Sequence, residues 1–553
     1  MLLDSVVRTS AAVAATPGRL AKIDEIASLL RQVPPGEIAV AVAFLSGDLT
    51  QRQIGVGYAA LTDLMGGYGV SAPTVAGAES AAGAAVGPGA PAAEPQLTLA
   101  ETDTALGQIG ELAGQGSQAQ RRRLLAGLLR RATETERQFL VRLLAGDLRQ
   151  GALDGVMTDA IARAAQVPGA DVRRAHQLSG SLAAAAAAAL SAGGHAGIAV
   201  EALRAVSLQV GRPIRPMLAA AAPSVTAAMD RISPAAVEWK VDGIRVQVHR
   251  QGTDVRVFSR TLDDITHRVP EIARAVMSMS VSDAVLDGEA VALRPDGRPH
   301  PFQVTSARAA SQAGQAGELG QTPLSLFLFD ALHLDGADLI DVPAHERYSR
   351  LAAVTPAELV IPRLVTADVA EAEEFFAAAI GRGHEGVVIK SLDAPYGAGR
   401  RGSEWIKVKP RHTLDLLVLG AEWGHGRRQG WLSNLHLGAR DPATGRAVML
   451  GKTFKGLTDA ILSWQTERLL ELADPPYSDD GQPRRGVVRV RPELVVEIAF
   501  DGVQASTRYP GGVTLRFARV LRYRPDKDPA EADTIEAVRA LWSGAELAAG
   551  EAG

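Results

Sequence analysis

No cysteine occurs anywhere in the 553 residues. That absence excludes disulfides, thiolate zinc sites, iron–sulfur clusters and cysteine nucleophiles together, and it suits a reducing compartment. An excess of one charge is missing too: 58 Lys and Arg stand against 62 Asp and Glu, for a formal net charge of -4. Nothing global therefore attracts nucleic acid, and any such contact has to come from local basic faces. No apolar run is long enough to cross a bilayer, even around Ala183 to Ala189, and no membrane partner is expected. The N-terminus, with Asp4 early and only Ala11 to Ala15 as a short apolar stretch, lacks the form of a signal peptide. Aromatics are scarce at 4% while Ala and Gly abound, a bias that points to no function. What remains is a globular chain, 46% hydrophobic and 22% charged. Its length suggests about three or four domains and its composition a cytoplasmic location.

From Leu2 to about Leu64 apolar residues recur at helical spacing, as in Ile23, Ile26, Leu29 and Leu30. Ser71 to Gln96 is Ala, Gly, Pro and Ser without period, which predicts a flexible insertion. Helical spacing returns from Leu97 to about Leu203, where Arg121, Arg122, Arg123, Arg130, Arg131, Arg137, Arg142 and Arg149 interleave with leucines. A bundle that buries the leucines and displays the arginines offers either a solvated basic face or contacts to a phosphate backbone. The prolines of Arg212-Pro213-Ile214-Arg215-Pro216 mark a boundary. Mixed strand and helix follow to about position 411. Short strands then dominate: Leu414 to Trp423, Leu432 to Ala439, Ala447 to Lys452, Leu494 to Phe500 and Val513 to Tyr523, with a helix near Asp459 to Leu472. Five strands and one helix predict a small OB-type barrel.

The run Val237-Glu238-Trp239-Lys240-Val241-Asp242-Gly243-Ile244-Arg245 crowds one lysine with charges. An amine is a poor nucleophile while protonated, so a reactive lysine needs surroundings that favour the neutral form. Ile244, Val246 and Val248 alternate with polar residues, and Val255 and Val257 resume the alternation after a turn, placing Lys240 at the mouth of a hairpin. For a lysine taken alone, a solvated strand end is the commoner reading.

Other fragments supply what phosphate chemistry needs: carboxylates for Mg2+, cations for phosphoryl oxygens and an apolar slot for a base. Ser259-Arg260 closes the second hairpin strand. Asp287-Gly288-Glu289 reads as a carboxylate beside a glycine turn between two apolar segments, and Leu326-Phe327-Leu328-Phe329-Asp330 as a buried strand whose last aromatic can stack on a purine. Glu385-Gly386-Val387-Val388-Ile389-Lys390 ends an apolar strand with a lysine. In Glu404-Trp405-Ile406-Lys407-Val408-Lys409-Pro410 the two lysines share one face, where they repel unless an anion lies between them.

Taken in order, these fragments resemble motifs I, Ia, III, IIIa, IV and V of the covalent nucleotidyltransferases. The closest likeness is to ATP-dependent DNA ligases of the archaeal and bacterial type. Gln138 to Gly151 resembles the signature of the helical DNA-binding domain in replicative ligases, and Leu515 to Lys527 resembles motif VI. Ala518 stands where that family usually has proline. Absence of cysteine fits the ATP-dependent class better than the NAD-dependent one, which carries a cysteine zinc module.

The resemblance implies a multidomain fold: an all-α DNA-binding domain over 1–205, an α+β nucleotidyltransferase domain over 206–412 and an OB-fold domain over 413–553. It implies ATP and Mg2+, a nicked duplex as substrate, a monomer, and a sliding clamp or repair protein as recruiting partner. Lys240 is then the nucleophile that becomes lysyl-AMP. Glu238 reads the adenine amino group, Phe329 stacks on adenine, and Arg245 and Arg260 contact the sugar and later the 5'-phosphate of the nick. Glu289 holds the ribose or a metal and Glu385 a metal. Lys407 and Lys409 hold the α-phosphate and depress the pKa of Lys240, with Lys390 a weaker candidate for the same surface. Arg524 and Lys527 orient pyrophosphate once the barrel closes over the site. Arg121, Arg122, Arg149, Arg427 and Arg428 are the DNA contacts. An RNA ligase or capping enzyme shares the central motifs, and a silent DNA clamp that kept the fold is the alternative of another class.

Overall fold

The computed structural model describes residues 1–51, 54–56, 61, 90–114, 116–148, 150–151, 154–191, 195–310, 322–410, 412–475 and 486–542. The expected insertion falls mostly outside them, as does Arg149. None of the described helices is long and apolar enough to cross a membrane.

Up to Arg204 the regular elements among the described residues are helices, beginning with Leu3–Ala15, Arg19–Leu30 and Ile38–Ser46 and running to Ala196–Arg204. Their apolar faces meet in one core that includes Leu3, Phe44, Leu99, Leu125, Leu140 and Ile161. Two starts are fixed locally by capping boxes, Thr98 with Glu101 and Thr133 with Glu136, each satisfying backbone N–H groups that the first turn leaves without partners. The arginine-rich helix Ser117–Arg131 buries Leu125, Leu128 and Leu129, as its spacing requires. Two of its neighbourhood's arginines turn inward instead of outward. Arg137 is buried and its Nε donates to the Leu129 carbonyl at 2.6 Å, while Arg121 donates to the carbonyls of Ile109 and Leu112. Helix ends leave carbonyls unpaired, and a guanidinium with five donors satisfies several at once.

The middle of the chain forms β1 (Leu218–Ala221), β2 (Ala235–Lys240), β3 (Ile244–Gln251), β4 (Asp254–Ser259), β5 (Asp283–Ala292), β6 (Leu324–Leu334), β7 (Ala337–Asp338), β8 (Arg363–Thr366), β9 (Gly386–Ser391) and β10 (Arg401–Val408). They make two five-stranded sheets, ordered β1-β10-β9-β2-β8 and β4-β3-β5-β6-β7. Lys240 thus ends a strand of one sheet, and the next three residues carry the chain to the other, where the expected hairpin β3–β4 lies. Asp287-Gly288-Glu289 is not a turn: β5 runs straight through it, with a register shift against β6 between Asp287 and Gly288. A Cβ at Gly288 would stand 2.8 Å from the Phe327 carbonyl oxygen, so the glycine serves close strand approach. The stretch entering this region is laid along β3. Gly211 N–H donates to His249 Nδ1 at 2.8 Å, and Ile214 exchanges two hydrogen bonds with the Gln247 amide, at 2.9 and 3.1 Å.

The last region contains β11 (His412–Trp423), β12 (Leu432–Arg440), β13 (Ala447–Thr453), β14 (Val487–Arg489), β15 (Val495–Phe500), β16 (Gly502–Ala505), β17 (Val513–Arg516) and β18 (Arg519–Tyr523), with helix Asp459–Glu471 between β13 and β14. One six-stranded sheet has the path β13-β12-β11-β15-β18, with β14 on β11, and β16–β17 form a separate ribbon. The sheet curls without closing: among the described residues β13 and β18 share no ladder, and Thr453 Oγ1 donates to the Ala518 carbonyl at 2.5 Å and Val520 N–H to the Lys455 carbonyl at 3.0 Å. The strand expected from Val513 to Tyr523 is broken at Phe517, whose φ of 56° is the left-handed region and turns the chain out of the ladder.

Candidate active site

A cavity of about 1140 Å³ lies between the two middle sheets, and all three regions reach it: Gln51 from the first, Arg516 and Phe517 from the last. Of the residues singled out from the sequence, Glu238, Lys240, Arg245, Arg260, Glu289, Phe329, Lys390 and Lys407 line it. Glu385 and Lys409 stand against Lys240. Glu385 Oε2 pairs with the Lys240 ammonium and Oε1 accepts from Lys409 Nζ at 2.9 Å, while Lys409 also reaches Asp501 at 3.2 Å. Backbone register makes this possible: Lys240 pairs with Gly386, next to Glu385, across β2 and β9. Gly386 has φ 140°, and a Cβ there would overlap the Val408 carbonyl oxygen. Only glycine lets β9 start so close to β10.

Lys240 departs from expectation. Burial lowers the pKa of its amine, but Glu385, Glu289 and Asp242 together raise it above the ordinary lysine value, outweighing the nearby lysines. Lys407 is driven down, by burial and then by Lys409 and Lys240. Glu385 is held down at about 2: burial opposes ionisation, and Lys240 and Lys409 overcome it. Glu289 goes the other way, to about 7, because burial outweighs Lys240 and Arg245.

Beside Lys240, Asp242 accepts from Arg516 Nη1 at 3.0 Å, a contact between regions 274 positions apart. Arg516 lies in the stretch from Leu515 to Lys527 that resembles motif VI, where the sequence assigns it no role. The two residues assigned the pyrophosphate, Arg524 and Lys527, lie away from the cavity. They share Asp415, at 3.0 and 2.7 Å, and Arg524 also pairs with Asp526 at 2.6 Å.

At the apolar end, Phe329 and Trp405 meet edge to face with centroids 5.9 Å apart, and the Lys390 ammonium lies 4.5 and 4.1 Å from their centroids. Lys390 pairs with Glu238 at 2.5 Å and does not join the phosphate-side lysines. Arg245 is largely committed inside the protein: Nε and Nη2 make a bidentate pair with Asp287 at 3.0 and 2.6 Å, and Nη1 donates to the Met217 carbonyl. Tyr396 completes this network by donating to Asp287 at 2.5 Å. Arg363 and Tyr396 go unmarked in the sequence, and Asp287 and Trp405 carry no assigned role within their fragments, although Trp405 sits in the same alternation as Lys407. Arg260 is exposed at the rim. Of the basic residues expected on DNA, Arg122 is exposed, Arg427 is 81% exposed with Asp459 at 3.3 Å, and Arg428 donates to the Phe454 carbonyl at 2.7 Å.

No group of three or more metal-type side chains forms among the described residues. That donor set still fits Mg2+, which keeps most of its waters and takes one or two carboxylates together with substrate phosphates. Glu289, half-buried in the cavity wall and raised to about 7 by desolvation, is the kind of carboxyl that a cation would ionise.

Comparison with known families places these features. The family described as ATP dependent DNA ligase domain matches residues 216–409, DNA ligase N terminus matches 3–162, and ATP dependent DNA ligase C terminal region matches 428–527. A protein named "Probable DNA ligase" from Mycolicibacterium gilvum (strain PYR-GCK) is 54% identical over 543 residues, covering 98% of this chain and 99% of that protein. One of the same name from Anaeromyxobacter sp. (strain K) is 53% identical over 545 residues, covering 98% and 100%. A solved structure named Pmar-Lig_Pre shares the fold, with TM-score 0.57 and 18% identity over 94% of this chain and 99% of that one. The architecture is thus multidomain, with a nucleotidyltransferase core and a C-terminal sheet domain. The chain belongs to the ATP-dependent DNA ligase family.

Proposed function

We propose that the protein seals 5'-phosphate and 3'-hydroxyl ends at nicks in duplex DNA, with Lys240 as the residue that carries AMP. The observation that bears most weight is the position of Lys240: it ends β2 on the wall of a nucleotide-sized cavity, with a carboxylate pair on one side and an aromatic slot on the other. In the first step the Lys240 amine, having lost its proton, attacks the α-phosphorus of ATP. A P–N bond forms, the bond to the β-phosphate oxygen breaks, and pyrophosphate leaves. AMP then passes to the 5'-phosphate of the nick, and the 3'-hydroxyl displaces it.

Glu238 accepts from the adenine amino group, Phe329 supplies the stacking face, and Lys407 with Lys409 hold the α-phosphate. The phosphates supply the anion that the lysine pair lacks, and drawing Lys409 toward them weakens its bond to Glu385. Glu385 and Glu289 would hold Mg2+, which when bound neutralises phosphate charge. Arg245 and Arg260 face the sugar and the 5'-phosphate. Arg524 and Lys527 reach the pyrophosphate only after the C-terminal region, read as an OB-fold, turns over the site; such closures gate many enzymes. An all-α domain over 1–205 tracks the duplex, with Arg122, Arg427 and Arg428 on the backbone and Arg121 supporting the fold from within. The protein acts as a monomer in the cytoplasm, recruited by a clamp or repair partner.

A singly nicked duplex tests the reading. Closure is expected with ATP and Mg2+ and not with NAD; closure of nicked RNA or capping of triphosphate-ended RNA in its place would favour the RNA-directed alternative.

A further inference from the structure

Glu238 is a base-reading group only while it remains an oriented acceptor. Its side chain is 3% exposed, and an ionised carboxylate in such a place needs compensating donors. The structure provides two. Register sets Arg363 of β8 directly across from Glu238 on β2, and its Nε donates to Glu238 Oε1 at 2.7 Å with Nη2 at 2.6 Å from the same oxygen. Lys390 takes Oε2 from β9 on the other side. Arg363 is itself fixed. Its guanidinium carbon lies 3.6 Å from the centroid of the buried Tyr348 ring, and Nη2 donates to the Phe329 carbonyl at 3.0 Å. One side chain therefore ties the carboxylate at the base edge to the strand that carries the aromatic face. It does so from outside the cavity, which Arg363 does not line.

The two cations are not equivalent. Burial lowers the pKa of Lys390, with Glu238 and Asp330 pulling the other way. A guanidinium cannot be deprotonated in a protein, so Arg363 is the charge that stays. With Arg363 on Oε1 and Lys390 on Oε2, the carboxylate keeps lone-pair capacity for one more donor and offers no proton. An adenine amino group donates to it; guanine presents a carbonyl oxygen at the same edge and is repelled.

We infer that Arg363 is a positioning residue for nucleobase selection, holding the Glu238 carboxylate aimed so that the pocket takes adenine nucleotides over guanine nucleotides. This deepens the proposed function and rests on Lys240 being charged from a nucleoside triphosphate. The test uses the full chain with Arg363→Met, Arg363→Gln and Arg363→Lys, each checked for a cooperative melt. Adduct formation at Lys240 is followed by intact mass with ATP and, separately, GTP. In the neutral variants the ratio of kcat/KM for ATP to that for GTP is expected to fall at least about tenfold, the worth of a hydrogen bond to a charged group. The KM for ATP rises while kcat stays within about threefold, and Arg363→Lys recovers most of the ratio. Two neutral variants are made so that one folded protein suffices. A wild-type ratio in either folded neutral variant overturns the inference, as does an equal loss for ATP and GTP, which marks a merely structural role. If the wild-type chain forms no adduct with any nucleotide, it is the proposed function that fails.

Discussion

The ion pair between Lys240 and Glu385 sets the resting state of the nucleophile, and Glu385→Gln removes its charge with little change of shape. Both side chains are mostly buried, 24% and 15% exposed, so solvent screens the pair only in part. A hydrogen bond between charged groups contributes about 1.5–3 kcal/mol. That energy stabilises the ammonium over the amine. Its loss multiplies the neutral fraction at a fixed pH by about 10- to 150-fold, at about 1.36 kcal/mol per tenfold change. Glu289 and Asp242 still favour the ammonium, and burial still opposes it, so the lower part of that range is the expected one. Labelling by a small amine-reactive probe in the absence of nucleotide, read at Lys240 by peptide mass against an exposed lysine in the same digest, isolates this effect from any role of Glu385 in metal binding. Labelling of Lys240 in the variant should be at least about tenfold faster at pH 8. Equal or slower labelling would refute the view that carboxylates keep this lysine protonated at rest.

Arg347 and Asp330 are both fully buried and paired at 2.7 and 2.9 Å, so Arg347→Met leaves a carboxylate uncompensated; a loss of about 3–5 kcal/mol is expected in urea unfolding, and a loss below about 1 kcal/mol would contradict it. Gly386→Ala forces a side chain into φ 140° against the Val408 carbonyl and should cost about 1–3 kcal/mol from backbone strain alone, seen as a lower Tm together with slower adenylation of Lys240. Glu385 has a folded pKa of about 2 against an ordinary 4.5. Its depressed value means that its stabilisation is complete above about pH 4.5 and is lost as pH falls through about 2. The stability difference between wild type and Glu385→Gln should therefore shrink across that window in denaturant titrations.

Local pattern made many elements legible. β11, β12 and β13 begin and end within about two residues of their alternating runs, a margin at which element ends are ordinarily fixed, because each run has one buried face and is bounded by turn residues. The chain from Asp283 to Ala292 was misread at Asp287-Gly288-Glu289 because glycine signals both turns and tight strand contact, and only the partner strand tells them apart. Phe517 broke a strand that looked continuous, since nothing in Arg516-Phe517-Ala518-Arg519 announces a left-handed residue. In the site, motif order was enough to bring Lys240, Glu238, Phe329 and Glu385 to attention. It carried no information on ion-pair partners: Arg516 with Asp242 between regions, Arg363 with Glu238 and Arg347 with Asp330 within the middle one. Such pairs depend on register between segments more than a hundred residues apart or on buried packing, as does the inward turn of Arg121. The direction of the Lys240 pKa shift was misjudged for the same reason, because neighbouring cations were visible in sequence and the balance of surrounding carboxylates was not.

Peptide mapping after incubation of the full chain with ATP and Mg2+ asks whether Lys240 becomes covalently charged. AMP is expected on the peptide containing Lys240, released by pyrophosphate, and absent from Lys240→Ala. Charging of another residue, or an unmodified Lys240 in protein that nevertheless seals a nick with ATP, would rule Lys240 out as the carrier of AMP.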